Sequence, residues 1–384
     1  MTPMQEELKM TRALAKRQMM IGLLLMAMVL SACGGGDEGE ASTTTADTGG
    51  ATTVPGGDTT APPSEELTAL TVLLPINTPI LHGFRVADAA GYYAEEGLDV
   101  EFQPLDGGGE VVTQLLAGNG DIANIPVGPV VEAIEQGQTH LRAVWNYVYG
   151  SIFYIAVPAD SDIETAADLD GRQVGVSALS GGEVPIVRGI IQSAGLNPDE
   201  DVELVAIGEG TALSVRALQE EQVDAFGGSI NDIIALQAQG LDLRYILPEA
   251  LLELPASGIV VPQEFIDENS EAVEGFLRAS TKGSYWATVN PDATLCVLKE
   301  VTPEQFAEET GDMIFEAVLP ITWAPEGVQM GFQSAETWGT FFDFIGAERP
   351  DVDLGEIVVD DFLDAANDFD AAAVEADADA YPGC

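Results

Sequence analysis

The sequence predicts an α/β protein with two lobes joined by two crossing segments. The chain has 384 residues, which is long enough for two separate hydrophobic cores. Short runs typical of strands alternate along the chain with helical patterns, so each sheet is expected to be largely parallel. The apolar run FYIAVP (153–158) separates two such series, and a second run, SGIVVP (257–262), follows the second series.

The first series forms lobe 1, which is predicted to start with residues 68–154. It opens with the apolar strand LTVLLPI from Leu70, and the run HGFRVADAAGYYAEEGL then has helical spacing that Gly97 ends. The alternating run DVEFQPL predicts a second strand. The remaining segments are predicted as the helix EVVTQLLAG, the strand DIANIPV, the helix PVVEAIEQG and the strand LRAVWNYVY.

The second series forms lobe 2, predicted over residues 155–257. Its strands are expected in DGRQVGVSA, DVELVAIG, VDAFGGS and LRYILP, and its helices in PIVRGIIQSAGL, ALSVRALQEEQ and INDIIALQAQG. The run SGIVVPQEFID is predicted to be a return strand that pairs with FYIAVP. Open α/β sheets bind ligands at the carboxyl ends of their strands, so we expect a cleft between the two lobes.

Residues 258–384 are predicted to return to lobe 1 and to be mainly helical from Asn269 onward. Helices are expected in TPEQFAEETGDMIFEAVLP and in GVQMGFQSAETWGTFFDFIG. The acidic tail DAAAVEADADA is expected to lack regular structure.

The first 33 residues are predicted to be a lipoprotein signal peptide. Four basic residues precede the apolar stretch MMIGLLLMAMVL, which is short for a membrane span. The stretch ends in LSAC, which resembles a bacterial lipobox, and this resemblance implies lipidation at Cys33. An uncleaved signal anchor is the alternative. Residues 34–67 are rich in Gly, Thr, Pro and acids, a composition typical of a disordered tether.

Charge and cysteine content limit the possible partners. The chain has 14 Lys and Arg against 64 Asp and Glu, a net charge of −50, so nucleic acid is excluded as a partner. Beyond Cys33 the chain has Cys296 and Cys384. Outside the cytoplasmic membrane such a pair predicts a disulfide that ties the C-terminus to the body, with two free thiols as the alternative.

The residues that catalysis or metal binding would need are scarce. The chain has two histidines, and no Cys, His and acidic residues cluster at the spacing of a zinc site. No nucleophile elbow, P-loop or dinucleotide-binding glycine motif is present. We therefore predict a protein that is not an enzyme and that has no metal site.

Two glycine-rich turns are candidate ligand sites because each ends at a glutamate ahead of a helix. The first contains Gly108, Gly109 and Glu110, and the second contains Ser180, Gly181, Gly182 and Glu183. Such turns usually bind anions through free backbone N–H groups, but a glutamate would repel an anion and accept from an amine. The alternative is that each glutamate only complements its helix dipole. Pro185 is tolerated only if the second helix starts near Gly182 or Glu183, which argues against a capping box from Ser180.

Three other strands carry candidate ligand contacts at or near their ends. Asn77 and His82 follow the first strand, with a structural histidine as the alternative for His82. Asn124 ends the strand DIANIPV, where it either faces the cleft or caps the next helix. Trp145 and Tyr147 lie with Tyr149 on one face of a strand by alternation, as a stacking surface or as core packing.

Residues 70–290 resemble the solute-binding proteins of ABC transporters for sulfonates, taurine, nitrate and thiamine pyrimidine precursors. The resemblance is carried, in this order, by AGYYAEEGLDVEF, LLAGNGDIA, AIEQGQTHLRAV, SDIETAADLDGRQVGV and ALQEEQVDAF. It implies a two-lobed periplasmic-binding-protein type II fold with two hinge crossovers. It also implies delivery of a small molecule to the transmembrane subunits of a permease.

Within this family, NTPILHGF is similar to the pyrimidine branch, which implies ligand roles for Asn77, Thr78, His82 and Gly83. The segment departs from the branch by three extra residues, Pro79 to Leu81. The cysteine-rich motif of the branch's pyrimidine-synthase enzymes is absent, and their cofactor lysine has no counterpart here. The resemblance therefore implies binding without a cofactor, with the synthase-like enzyme as a lesser alternative.

The predicted function is that of an extracytoplasmic, monomeric, lipid-anchored binding protein for a small aromatic heterocycle such as a thiamine pyrimidine precursor. A sulfonate, taurine or nitrate is the alternative ligand, and such an anion would need Arg85 or Arg188 to reach the cleft. Glu110 and Glu183 argue against an anion and favour an amine-bearing ring. A lipid-anchored sensor or adhesion protein is a third class of function.

Overall fold

A computed structural model describes residues 67–384, apart from residues 180, 249, 250, 252, 253, 308 and 350. The predicted signal peptide with Cys33, nearly all of the predicted tether, and Ser180 lie outside the described residues. Within the described part of the chain, no helix combines the length and the apolarity that crossing a membrane requires.

Two five-stranded sheets organise these residues. In the first sheet the strand order is β2-β1-β3-β10-β4, with β1 Thr68–Leu74, β2 Leu98–Pro104, β3 Ile122–Pro126, β4 Leu141–Tyr149 and β10 Pro255–Pro262. In the second sheet the order is β7-β6-β8-β5-β9, with β5 Phe153–Pro158, β6 Gln173–Val176, β7 Glu203–Ala206, β8 Ala225–Ser229 and β9 Leu243–Ile246. Each sheet is parallel except for one inserted strand, β10 in the first and β5 in the second.

Helices connect the strands and make up most of the C-terminal third. The helices within the two α/β series are α1 His82–Ala89, α2 Tyr92–Glu95, α3 Gly108–Leu116, α4 Val127–Glu135, α5 Val184–Ser193, α6 Ala212–Gln219 and α7 Ile230–Ala238. The C-terminal helices are α8 Gln263–Val289, α9 Pro291–Val301, α10 Thr310–Val318, α11 Ala335–Ile345, α12 Leu354–Ile357, α13 Leu363–Ala366 and α14 Ala371–Ala380. Short 3₁₀ turns cover Pro79–Leu81, Ala166–Leu169, Pro303–Phe306 and Leu319–Ile321.

The predicted pairing of the return strand with FYIAVP is wrong. Strand β10 lies between β3 and β4 in the first sheet, whereas β5 lies between β8 and β9 in the second. Seven of the eight residues of β10 are buried, as expected for a strand with neighbours on both edges. The apolar pattern predicted a buried strand correctly, but it carries no information about which strand lies beside it.

The chain passes between the two sheets at two places. The first passage lies between Tyr149 and Phe153, and the second between Ile246 and Pro255. The predicted lobe boundaries, at 154/155 and at 257/258, stay predictions, and both strand changes fall within a few residues of them. The C-terminal helices are not confined to the first sheet, because α10 packs on both the Pro79–Leu81 turn and α7, and α11 packs on α5.

An aromatic cluster supports the first sheet. Phe84 on α1 stacks on Tyr147 with ring centroids 4.6 Å apart, and it also stacks on Phe276 of α8. Helices α1 and α8 cross closely, since a Cβ on Gly283 would collide with the backbone oxygen of Gly83. Glycine at this crossing lets the long C-terminal helix hold the helix that follows the first strand.

The C-terminal tail is ordered, which corrects the prediction that it lacks regular structure. Helix α14 is capped by Asp370, whose side chain accepts from the backbone N–H of Ala372. The Tyr92 hydroxyl donates to Asp377 at 3.0 Å, and Asn290 donates to the carbonyl of Ala378. Cys296 and Cys384 are disulfide-bonded, with their Cα atoms 5.4 Å apart. An Ala-rich acidic sequence is helical here because several side chains of the body hold it.

Candidate functional site

A small cavity lies where residues from both sheets meet. Its volume is about 50 Å³. The residues that line it are Pro75, Ile76, Thr78, Ile80, Leu81, Asn124, Pro126, Tyr147, Val148 and Ser257 from the first sheet and its loops, and Ile152, Ser229, Ile230 and Asn231 from the second. Ligand pockets usually have roughly 300–1,000 Å³, so a bound ring requires the two sheets to separate from this arrangement.

The chemistry of the cavity wall is apolar with a few neutral polar groups. Thr78, Asn124, Ser229, Asn231 and Ser257 are its small polar side chains, and Tyr147 adds a phenol. None of the described residues that line it is Lys, Arg, His, Asp or Glu. An anion placed there would have no cationic partner, whereas a neutral ring with hydrogen-bonding edges matches the wall.

Asn124 lies on this wall, in strand β3 shortly before α4. It is 1 % exposed, and its Oδ1 accepts from the Ser257 hydroxyl at 3.0 Å. Its amide also lies 3.5 Å from the carbonyl of Gly258. The residue before α4 is Pro126, so Asn124 does not cap that helix. Asn124 therefore joins the cavity wall to Ser257 on the neighbouring strand β10.

Asn77 is directed away from the cavity by its hydrogen bonds. Its amide donates to Glu304 at 2.9 Å, and its Oδ1 accepts from Arg85 and from Gln305. The adjacent residue, Thr78, lines the cavity instead. Arg85 is thus engaged with Asn77, and Arg188 pairs with Asp199 at 2.8 Å, so neither arginine lies on the cavity wall.

His82 is buried behind the cavity wall rather than on it. Its Nδ1 donates to the carbonyl of Pro79 at 3.2 Å, and its Nε2 lies 3.2 Å from the Thr322 hydroxyl. Phe315 packs edge-on against the ring. Burial lowers the pKa of His82 to about 4, so the imidazole is neutral near neutral pH. His82 therefore connects the Pro79–Leu81 turn to α10 and to Thr322, which follows that helix.

The aromatic stripe on β4 is divided between the core and the cavity. Trp145 is fully buried, and a Cβ on Gly331 would collide with its indole ring. Tyr147 borders the cavity, but its hydroxyl is already bonded, donating to Ile80 at 2.7 Å and accepting from Gly83 at 3.2 Å. Burial raises the pKa of Tyr147 above its usual value. In this arrangement the stripe packs against α1 and the 331 loop, and Trp145 offers no face to a ligand.

The SGGE turn follows β6 of the second sheet, and Glu183, Gly181 and Gly182 do not line the cavity. Helix α5 starts at Val184 with Pro185 in its first turn, in the register that the proline predicted. Glu183 is 5 % exposed, and its Oε1 accepts from the backbone N–H of Ser177 at 2.8 Å and from the Ser177 hydroxyl. Gly181 is half-buried against the Glu183 carboxylate, while Gly182 is exposed. Glu183 thus closes the turn that follows β6.

The GGGE turn is arranged differently. Helix α3 starts at Gly108, after Gly107 with φ of 89°, and Glu110 is exposed in its first turn. Gly108 packs close to Pro129 and Pro126, whereas Gly109 has open space around its Cα. Neither Glu110 nor the two glycines line the cavity. The predicted ligand contacts Gly108, Gly109 and Glu110 are therefore not brought to the cavity in this arrangement.

Sequence reasoning missed the contribution of the segment after β8. Ser229 caps α7, with its hydroxyl donating to Asp232 at 2.6 Å, and Asn231 lines the cavity. Burial raises the pKa of Asp232, and the nearby Glu183 charge raises it further. The signal was present in the sequence as SIND, a capping box that directly follows a buried strand.

Comparisons with known proteins agree with this architecture. A family model described as NMT1/THI5 like matches residues 78–294, which is more than half of the chain. The formylaminopyrimidine-binding protein of Halalkalibacterium halodurans is 27 % identical over 294 residues, covering 74 % of this chain and 86 % of that protein. The riboflavin-binding protein RibY of Chloroflexus aurantiacus is 26 % identical over 301 residues, covering 73 % of this chain and 81 % of that protein.

A solved structure gives the fold. The periplasmic aliphatic sulphonate binding protein SsuA of Escherichia coli superposes with a TM-score of 0.58 at 17 % identity, covering 76 % of this chain and 92 % of SsuA. The predicted fold class is thereby confirmed: two α/β lobes, each with one inserted antiparallel strand. This chain belongs to the NMT1/THI5-like family and has the periplasmic-binding-protein fold.

Proposed function

We propose that this protein is the solute-binding component of an ABC importer and that it holds a small, neutral aromatic heterocycle between its two sheets. The observation that carries the proposal is the cavity wall, which both sheets supply and which contains no charged side chain among its described residues. A pyrimidine related to thiamine precursors is the first candidate and a flavin-like ring the second. The names of the two relatives, one for a formylaminopyrimidine and one for riboflavin, support a nitrogen heterocycle.

A ligand panel tests this proposal. The purified protein without its signal peptide is mixed with a formylaminopyrimidine, riboflavin, taurine or nitrate, and thermal unfolding and titration calorimetry are recorded. A ligand at one hundred times its Kd should stabilise the fold by about 2.7 kcal/mol. We expect this with one of the heterocycles. Stabilisation by taurine or nitrate alone, or by no member of the panel, would contradict the proposal.

An anion is the second candidate because the structurally similar SsuA is a sulphonate-binding protein. The described cavity wall does not favour it, since Arg85 and Arg188 are engaged elsewhere. A synthase-like enzyme is a further alternative. Absorbance spectroscopy with added pyridoxal phosphate tests the enzyme, because a cofactor bound to a lysine would give an internal-aldimine band, and the absence of that band would exclude this alternative.

Glu183 is proposed as a second-sheet contact for an amine on the ligand once the sheets separate. The charge of Glu183 raises the pKa of Asp232, and Asp232 accepts from the hydroxyl of Ser229, which lines the cavity. Glu183→Gln should keep the bond from Ser177, because the amide oxygen still accepts. The substitution should weaken the binding of an amine-bearing ligand by more than about 1.5 kcal/mol, the scale of a hydrogen bond to a charged group. Unchanged affinity for the amine-bearing ring would show that Glu183 does not contact the ligand.

We further propose that Cys33 is lipidated and that the protein works outside the cytoplasmic membrane beside a permease. Fractionation of cells that express the full chain tests this. The wild-type protein should sediment with membranes, and Cys33→Ser should remove lipid labelling. Equal labelling of both forms would exclude Cys33 as the anchor.

A further inference from the structure

Two side chains of the cavity wall, one from each sheet, carry polar atoms that are buried and unpaired. Thr78 follows β1 of the first sheet and is 6 % exposed, and Asn231 lies in the first turn of α7 on the second sheet. Both line the cavity. Thr78 Oγ1 and Asn231 Oδ1 have no hydrogen-bond partner among the described residues.

The other polar side chains on the wall already have partners. The Ser257 hydroxyl donates to Asn124, the Ser229 hydroxyl donates to Asp232, and the Tyr147 hydroxyl donates to Ile80. The fold therefore satisfies its cavity polar groups in general. The exceptions, Thr78 and Asn231, come from different sheets.

Unpaired polar atoms in a buried wall are unfavourable, and protein interiors contain few of them. A ligand that pairs with both atoms removes this penalty and ties the two sheets together. An amide oxygen only accepts, so the ligand group at Asn231 must be an N–H or O–H donor. The Thr78 hydroxyl donates as well as accepts, so a ring nitrogen or a carbonyl oxygen suits it.

From these atoms we infer that Thr78 and Asn231 determine specificity by selecting a neutral heterocycle with an N–H donor and an adjacent acceptor on one edge. An aminopyrimidine has this edge, and so does a ring imide such as that of a flavin. The inference rests on the proposed function, because it assumes that the ligand occupies this cavity. It adds the hydrogen-bonding pattern that the ligand must present and the two residues that recognise it.

Two probes of nearly equal size isolate the edge. In 4-aminopyrimidine an N–H group lies next to a ring nitrogen, whereas 4-methylpyrimidine keeps the ring and loses the donor. Both are titrated by calorimetry against wild-type protein, Thr78→Val and Asn231→Leu. Thr281→Val is the matched control, since Thr281 is buried in α8 and its hydroxyl donates to Leu277 away from the cavity.

Wild-type protein and Thr281→Val should prefer 4-aminopyrimidine. Each cavity variant should lose about tenfold in affinity for it, the effect of one hydrogen bond to a neutral group. Affinity for 4-methylpyrimidine should stay within about twofold in Asn231→Leu, since this probe has no N–H to donate to Asn231. In Thr78→Val it should also fall about tenfold, because the ring nitrogen that accepts from Thr78 is present in both probes. The melting temperature of the empty protein should not fall in Thr78→Val, because the deleted hydroxyl was unpaired.

The outcomes separate this inference from the proposed function. If wild-type protein prefers 4-aminopyrimidine but Asn231→Leu keeps the full preference and Thr78→Val keeps full affinity for both probes, Thr78 and Asn231 do not recognise the edge and the inference fails alone. A wild-type protein that binds a heterocycle of the panel but does not distinguish the two probes also overturns it. If neither probe nor any panel heterocycle binds, the proposed function fails first. Should Thr78→Val or Asn231→Leu unfold, Thr78→Ser is expected to keep the preference and Asn231→Ala to lose it.

Discussion

Two turns of this protein have the same layout in sequence and opposite roles in structure. Each has a run of glycines and then a glutamate ahead of an apolar helix. Glu110 in the first is exposed, whereas Glu183 in the second is buried and accepts two hydrogen bonds from Ser177. The comparison shows that the pattern predicts a strand-to-helix turn but does not determine what its glutamate does.

The difference follows from where each helix starts. Gly107 has φ of 89°, a conformation that glycine adopts without strain, and α3 starts at the next residue, so Glu110 is already within the first turn. In the second turn Pro185 is tolerated only near the start of a helix, and α5 starts at Val184. Glu183 is then the residue before the helix, where its carboxylate meets the end of β6.

The largest contrast is expected from removing each carboxylate. Glu183→Ala should lower the free energy of unfolding by about 2 kcal/mol, because it deletes two bonds to a charged group and leaves the N–H of Ser177 unpaired. Glu110→Ala should change it by less than about 0.5 kcal/mol, as expected for a surface charge near a helix dipole. Urea denaturation of both variants measures this, and equal losses would refute the contrast.

A methyl group added beside Glu183 should lower the free energy of unfolding, but by less than removal of the carboxylate does. A Cβ on Gly181 would collide with the Glu183 carboxylate, whereas one on Gly182 would lie 3.7 Å from Phe153. Gly181→Ala is therefore expected to cost about 1.5 kcal/mol and Gly182→Ala close to zero, in the same denaturation experiment. If Gly182→Ala were the more damaging change, the position of the carboxylate would have to be revised.

The first turn should show a smaller contrast that depends on packing alone. A Cβ on Gly108 would lie 2.8 Å from Pro129 and 3.1 Å from Pro126, and one on Gly109 meets nothing within 4 Å. Gly108→Ala should lower the free energy of unfolding by about 1 kcal/mol because of this crowding. Gly109→Ala should raise it by about 0.5 kcal/mol, because alanine has the higher helix propensity. Thermal unfolding of the two proteins decides the order.

The smallest expected effect is electrostatic. Burial raises the pKa of Asp232, and the Glu183 charge adds to this. The pKa of Asp232 should therefore fall in Glu183→Gln and stay unchanged in Glu110→Gln, as measured by carboxyl NMR titration. A raised pKa means that the folded state binds the proton more tightly, so stability is lost as pH rises through that pKa. Glu183→Gln should reduce this loss, and identical titrations in the two variants would exclude the coupling.

Local features of the fold were predictable because they depend on short-range patterns. The run from Leu70 became β1, and Pro185 restricted the start of α5 to within a residue or two. The predictions of helix boundaries and of the C-terminal tail were wrong where another residue's hydrogen bonds determine the local structure. Helix α11 starts at Ala335 rather than near Gly327, since Ser334 caps it, and α14 forms because Tyr92 and Asn290 bind it.

The candidate site was predictable only in outline. Placing it at strand ends located Asn124 and Tyr147 on the cavity wall. The sequence could not show that Asn77 is held by Arg85, Glu304 and Gln305, since two of these partners are more than 200 residues away. It gave no sign that Asn231 Oδ1 is unpaired, because that depends on every atom around it.

By itself, the sequence determined the α/β class, two series of strands and helices, the strongly acidic surface and the family resemblance. These follow from composition, from periods of two and 3.6 residues, and from the preferences of glycine and proline, all of which act over a few residues. The tertiary structure places β10 between β3 and β4, buries Glu183 while Glu110 stays exposed, and brings Thr78 and Asn231 to the wall of one cavity. These outcomes depend on packing between segments distant in the chain, where burial and hydrogen-bond partners are set by the whole fold.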